Sequence, residues 1–378
     1  MGFAGLTWDH PRGRAALEAA AERFRAADLD ITWDVHSLEG FESAPIGELA
    51  ERYDLIVLDH PHLGDALAAG CLQAVEEVLG AALVEDVAAR AVGPSLATYQ
   101  LDGRTWALPL DAATQVAACR ADLLGSDPVT WDDVLETARR APVALSLSGP
   151  HAYLTFASVC ASLGAPLALG AAEEIVASDA GERALGILSE LAASAPGGSD
   201  AQNPIALLER MTATDDIAYI PLVYGYVGYA DPARARAVTF GPSPTGPGGV
   251  GSTIGGTGIA VTQRAEVTPA LRAHLAWLLS DEAQVSFIPA HEGQPAVRAA
   301  WESEAVNARS GDFYRRTRST IEAAWTRPRF PGFTAAQTEM SRVVRDAVRE
   351  RSAPAGVLAR LTEIQRTAVN ATAEEHAR

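Results

Sequence analysis

"GFAGLTWDHPRG" (Gly2–Gly13) and "DLIVLDHPHLG" (Asp54–Gly64) carry the same grammar twice: an apolar run, then Asp-His-Pro, then the start of a helical pattern. Proline suits the first helical position because its missing N–H has no partner there, and an Asp or His just before it serves as a cap. After the first copy, Leu17, Ala20, Ala21 and Phe24 recur at helical intervals with charges between them. The stretch "LDITWDVHSL" (Leu29–Leu38) alternates as a strand does, and "LIVL" (Leu55–Leu58) is a continuous apolar run of the kind buried on both faces of a parallel sheet. The pattern is β-α-β-α, so an α/β fold is expected. With strand order 2-1-3 the two Asp-His-Pro turns would lie side by side at the switch point, where open α/β sheets bind ligands. Two helix N-termini would then aim backbone donors at one place. Taken singly, Asp9, His10, Asp59 and His60 need be no more than caps. Taken together, with Trp8, Arg12 and His62 alongside, they form a ligand-contact group.

Composition narrows the function. The chain has 378 residues, long enough for two domains with cores that need no disulfide staples. With 48 acidic residues against 30 basic ones and a net charge of −18, a surface that tracks nucleic-acid phosphates is not expected. Every basic residue is arginine. A Walker-type phosphate loop and a pyridoxal Schiff base each need a lysine, so neither can be built. Cys71, Cys119 and Cys160 lie far apart in apolar segments and read as buried thiols. The start "MGFAGLTWDH" has neither a basic n-region nor a long apolar h-region, which leaves a cytoplasmic chain or a processed one as the expectation.

Further along, Asp102-Gly103 reads as a two-residue hairpin turn, and Pro109 marks the following strand as an edge or crossing strand. Thr130 and Asp133 have capping-box spacing, Pro142–Gly149 reads as a strand, and His151–Gly164 as a helix. Residues 171–195 and 203–211 read as helical and Asp216–Tyr229 as extended, the last with Tyr219, Tyr224, Tyr226 and Tyr229. Such a tyrosine cluster lines a pocket or simply covers a half-buried strand face. Gly241–Val261 is the most glycine-rich part. Gly246, Gly248 and Gly251 satisfy G-x-G-x-x-G in form, but a strand and not a helix follows, so the expectation is a mobile loop with Gly255 and Gly256 open to a bound molecule. From Thr268 onward the chain reads as helical, broken at "FPGF" (Phe330–Phe333).

Two long segments resemble the bacterial extracellular solute-binding proteins of ABC importers, the maltose-binding-like family. One is "YQLDGRTWALPLDAATQVAACRADLL" (Tyr99–Leu124), a hairpin leading into a crossing strand and a "DLL" helix start. The other is "STIGGTGIAVTQRAEVTPALRAHLAWLLSDEAQVSFIPAHEGQPAVRAAW" (Ser252–Trp301), a Gly-Gly strand, a helix with "AWLLSDEAQ" and a "GQP" loop. The resemblance implies a two-domain periplasmic-binding-protein-like fold (type II), with residues 1–110 plus 255–300 as one α/β domain and 111–254 plus 301–378 as the other. It implies a small-molecule solute held in the cleft by hinge closure, an ABC permease as partner, a monomer, and neither a cofactor nor catalysis. By position it puts Trp8, Asp9, His10 and Arg12, then His36, then Asp59, His60 and His62 at the cleft. Asp111 and Gln115 fall at the hinge, Tyr224 and Tyr226 on the second domain, Gly255, Gly256 and Thr257 on the returning strand, and Glu292 in the loop before "GQP".

Family members are normally exported behind a leader or a lipid-anchored Cys, and this sequence shows neither. The Asp-His-Pro turns are also more ionisable than the hydroxyl and amide groups that usually meet neutral sugars. They suggest an organic or aromatic acid, recognised by His, Arg12 and helix N-termini, beside the sugar that the resemblance implies. Two other readings stay open. One is an enzyme on the same scaffold, with His10, His60 or His62 as acid or base beside Asp9 or Asp59. The other is iron or zinc capture by His60, His62, His10, Asp59 and two tyrosines, which suffers because side chains two apart on a helix diverge.

Overall fold

In the computed structural model, which describes residues 2–376, strands run over Gly2–Trp8 (β1), Asp30–His36 (β2), Leu55–Leu58 (β3), Gln100–Leu101 (β4), Arg104–Thr105 (β5), Leu108–Cys119 (β6), Tyr219–Tyr224 (β7), Thr239–Gly241 (β8), Thr245–Gly246 (β9), Gly249–Val250 (β10) and Ile254–Val261 (β11). The chain divides into two compact units. The first is Met1–Ala113, Gly255–Asn307 and Arg329–Pro331, and the second is Thr114–Ile254, Ala308–Pro328 and Gly332–Arg378. Among the described residues no helix is long and apolar enough to cross a membrane.

In the first unit β1 lies parallel to β2 along its whole length, from Gly2 opposite Asp30 to Trp8 opposite His36. It is parallel to β3 at Gly5–Leu55 and Leu6–Ile56. The order β2-β1-β3 is the one the sequence pattern requires for adjacent turns. All four β3 residues are buried, at 0–2% exposure, which accounts for the unbroken apolar run. The helix Pro11–Phe24 (α1) starts where expected and buries Ala16, Leu17, Ala20 and Ala21. Sinking Leu17 alone contributes about 2 kcal/mol. On the far side of β3, β11 returns antiparallel, from Gly258 opposite Leu58 to Val261 opposite Leu55. Asp102 (φ 53°) and Gly103 (φ 75°) are both left-handed between β4 and β5, as a tight hairpin turn demands.

The crossings fall after Ala113 and Asn307, where the sequence reading placed them after residues 110 and 300. The brief return at Arg329–Pro331 falls at the FPGF break, which marks an interruption of the helices but not a change of unit. It is held by Arg329, whose Nη1 donates to the carbonyls of Ala97, Thr98 and Gln100 at 2.8–2.9 Å. Gly64 makes room for it, since a Cβ there would lie 2.4 Å from the Arg329 carbonyl oxygen.

β6 is the crossing strand, with Leu108–Ala113 in the first unit and Thr114–Cys119 in the second. Its second half is flanked by β7 and β8, both antiparallel, and their pairing begins only at Gln115 and Ala117. Pro109, with no N–H to donate, lies before that stretch. Thr130 and Asp133 form the expected capping box on the helix Trp131–Ala138. The helix Phe333–Glu350 packs on the helices His151–Ser162, Ser178–Ser194 and Pro354–His376.

Four local expectations need correction. Pro142–Gly149 is no strand: only Val143 bridges, to Tyr219, and the Ser146 carbonyl is taken by the Thr155 hydroxyl at 3.0 Å. The helix expected from residue 171 begins at Ser178, because Gln365 Nε2 holds the carbonyls of Ala168 and Gly170 in a loop at 2.8 Å. The extended stretch 216–229 ends at Tyr224 and becomes a 3₁₀ turn at Val227–Ala230. The glycine-rich segment is a packed hairpin, β9 and β10, seated on the end of the helix His151–Ser162. A Cβ at Gly251 would lie 2.2 Å from the Ser158 carbonyl oxygen, one at Gly248 2.4 Å from the Gly164 nitrogen, and one at Gly246 2.6 Å from the Ser162 carbonyl oxygen. The three thiols are free, and burial pushes those of Cys119 and Cys160 far above their usual titration range.

Candidate functional site

The end of β1 and the start of α1 form a compact polar and aromatic group in the first unit. Trp8 is buried, with its indole stacked on His10 at 5.5 Å and 12°. The Arg12 guanidinium lies 5.6 Å from the Trp8 ring centroid, within cation–π range. Only glycine fits at position 13, since a Cβ there would lie 2.2 Å from the Trp8 indole nitrogen. Asp9 donates its N–H to the His36 carbonyl at 2.7 Å, tying the ends of β1 and β2 together. Its side chain points outward and pairs with Arg14 at 2.7 Å, an exposed bridge of little energetic weight.

His10 caps α1, its Nδ1 accepting from the Arg12 N–H at 3.1 Å. Burial first, and the Arg12 charge second, lower its pKa to about 4, against a smaller opposing effect of Asp9. The ring is therefore neutral at physiological pH.

Arg12 and Asp111, from α1 and β6, form a two-point ion pair: Nε donates to Oδ2 at 2.8 Å and Nη2 to Oδ1. Both side chains are only 5% exposed. Gly256 (φ +91°) runs against this point of β6, and a Cβ there would lie 2.3 Å from the Asp111 carbonyl oxygen. At Gly256 the close approach of the two strands by itself requires glycine. Thr257 is buried beside it, and Glu292 is exposed in a left-handed turn (φ 63°).

At the second Asp-His-Pro turn, Asp59 Oδ1 accepts from the His60 N–H at 2.9 Å and lies 3.1 Å from its Nδ1. His60 is fully buried, edge-on to Tyr99 at 6.3 Å, and His62 is buried with it. The turn opens as a 3₁₀ turn, His60–His62, which runs on into the short helix Leu63–Ala68. Tyr99, which the sequence reading did not single out, places its hydroxyl 3.4–3.5 Å from the carbonyls of Leu58 and Gly256, where it spans the ends of β3 and β11. Its position just before the hairpin was the available signal.

In the second unit Gln115 is fully buried, its Nε2 donating to Thr155 Oγ1 at 3.1 Å and its Oε1 accepting from Ser158 Oγ at 2.6 Å. Ser158 is 2.9 Å from Thr253 Oγ1, and Ser252 Oγ donates to the Gln115 carbonyl at 2.6 Å. Gln115 therefore ties β6 to the helix His151–Ser162 and to Ser252 and Thr253, just before β11. Tyr224 is half-buried and sits T-shaped to His151 at 5.8 Å, while Tyr226 is buried. His151 is the second residue the sequence reading missed. Among the described residues no group of three His, Cys, Asp or Glu side chains is arranged to hold a metal ion.

The profile of the bacterial extracellular solute-binding protein family matches residues 7–285, and the chain belongs to that family. No curated protein sequence matches it. Among solved structures it is similar to an ABC transporter solute-binding protein from Agrobacterium radiobacter in complex with ribitol, with 19% identity, 97% of this chain and 98% of that one covered, and a TM-score of 0.80. It is similar as well to maltose-bound MalE3 of T. maritima (16% identity, 97% and 99% covered, TM-score 0.80) and to the GacH receptor of Streptomyces glaucescens (17%, 98% and 98%, 0.79). These likenesses establish the two-domain periplasmic-binding-protein-like fold.

Proposed function

We infer that the protein captures a small neutral solute, a sugar or polyol, by closure of its two units and delivers it to an ABC permease. The observation that carries the solute class is the Arg12–Asp111 pair: the strongest cation of the Asp-His-Pro region is already neutralised by a two-point carboxylate. With His10 neutral as well, the group offers hydrogen-bond donors, acceptors and aromatic faces but little net positive charge. Hydroxyl groups both donate and accept, and they match such a surface better than the organic acid suggested by residue types alone. The ribitol and maltose bound by structurally similar proteins agree with this class.

The test is thermal unfolding of the purified chain against sugars, polyols and carboxylic acids, followed by chemical recovery of whichever compound stabilises it. At 100 times its dissociation constant a ligand adds about 2.7 kcal/mol. A sugar or polyol that stabilises the fold and is recovered unchanged supports the reading. A hit recovered chemically altered, or stabilisation by acids alone that His10→Ala abolishes, contradicts it.

A further inference from the structure

The second unit holds two adjoining cavities, of about 260 Å³ and about 350 Å³, that share Ser189 and Arg351 as lining. They lie along the helix Ser178–Ser194 and reach the turn between the helices Phe333–Glu350 and Pro354–His376. Leu185, Ala192 and Val348 supply apolar wall. The acids on the lining are already neutralised, Glu190 by Arg139 at 3.2 Å and Asp200 by Arg349 at 2.6 Å.

Arg351 is different. Among the described residues it makes no ion pair and no side-chain hydrogen bond, and it holds a left-handed backbone (φ 54°) at a helix C-terminus where glycine is the unstrained choice. Its side chain is exposed, so its charge is solvated, and it lines both cavities without an ion pair, next to Ser352 and Pro354 at the positive end of a 23-residue helix. A second group lacks a partner: Ser199, in the wall of the smaller cavity, is 1% exposed and its hydroxyl makes no hydrogen bond. Buried hydroxyls are ordinarily paired.

We propose that these cavities form a site for a small amphipathic monocarboxylate, with the carboxylate on Arg351, the Ser199 hydroxyl donating to a polar ligand atom, and the aliphatic or aromatic body against Leu185, Ala192 and Val348. The site is separate from the solute-binding group and uses residues of the second unit only. An arginine fork and a carboxylate match in geometry, so the charge selects the acid and the apolar wall selects its body.

Isothermal titration of the full chain with benzoate and hexanoate, against benzyl alcohol and hexanol as uncharged counterparts, tests this. The carboxylates should bind and the alcohols should bind at least tenfold more weakly. Arg351→Gly should raise the thermal midpoint by relieving the left-handed strain and yet weaken benzoate at least tenfold. Arg351→Lys, which keeps the charge but not the fork, should lose less than Arg351→Gly, and Ser199→Ala should lose severalfold. The opposite signs on stability and binding separate loss of the site from loss of the fold. Undiminished benzoate binding in Arg351→Gly, equal affinity for the alcohols, or no carboxylate binding at tens of millimolar would overturn the proposal.

Discussion

Asp111 decides the electrostatics of the β1–α1 group. Removing its charge takes a two-point carboxylate from the buried Arg12, and breaking a buried pair from one side typically costs about 3–5 kcal/mol. Asp111→Asn should therefore lower unfolding stability by roughly 3 kcal/mol in urea titrations, whereas the double change Arg12→Met with Asp111→Leu should recover most of it. A second residue sets a pH limit. His274 is fully buried, edge-on to Phe24 at 4.8 Å, with neither ring nitrogen hydrogen-bonded, and burial lowers its pKa to about 4. Because the unfolded chain binds this proton near pH 6.5 and the folded chain only near 4, stability is full above 6.5 and falls as pH drops through that window. The loss should reach about 2 kcal/mol at pH 5, read by denaturant midpoints across pH, and His274→Met should flatten that part of the profile.

At the scale of elements, what was legible in the sequence was local. Pro11 and Pro61, the alternation in β2, the apolar run of β3, the Asp102-Gly103 turn and the Thr130 capping box each announce themselves within a few residues, and each is in place. What was not legible depends on partners far along the chain. Pro142–Gly149 has strand composition, but its Ser146 carbonyl meets a helix hydroxyl. The glycines at 246, 248 and 251 look like slack and instead seat a hairpin on a helix end. Gly256 shows the cost of such an approach most sharply. Gly256→Ala must place a Cβ 2.3 Å from a carbonyl oxygen at φ +91°, so a loss above about 2 kcal/mol is expected from strain and backbone displacement, measured by thermal and urea unfolding. A loss under about 0.5 kcal/mol would show that β6 and β11 yield easily there.

For the whole molecule, order along the chain carried the family, since the Tyr99–Leu124 and Ser252–Trp301 segments resemble its members in sequence and the profile match, residues 7–285, spans the first segment and most of the second. The site was legible only in part. Trp8, His10 and Arg12 are neighbours through the β1–α1 turn, so their grouping follows from local order. The ion pair that neutralises Arg12 joins residues 99 positions apart, and without it the residue types alone pointed to an acidic solute. The proposal of a neutral solute rests on that ion pair, and it is tested most directly by titrating the stabilising solute calorimetrically across salt concentration and between pH 8 and about 5.5. A neutral solute held by a self-neutralised group predicts an affinity that stays flat on both axes. A steep fall in affinity with salt, or a gain as His10 is brought toward protonation, would mean that an anion is bound and would contradict the account.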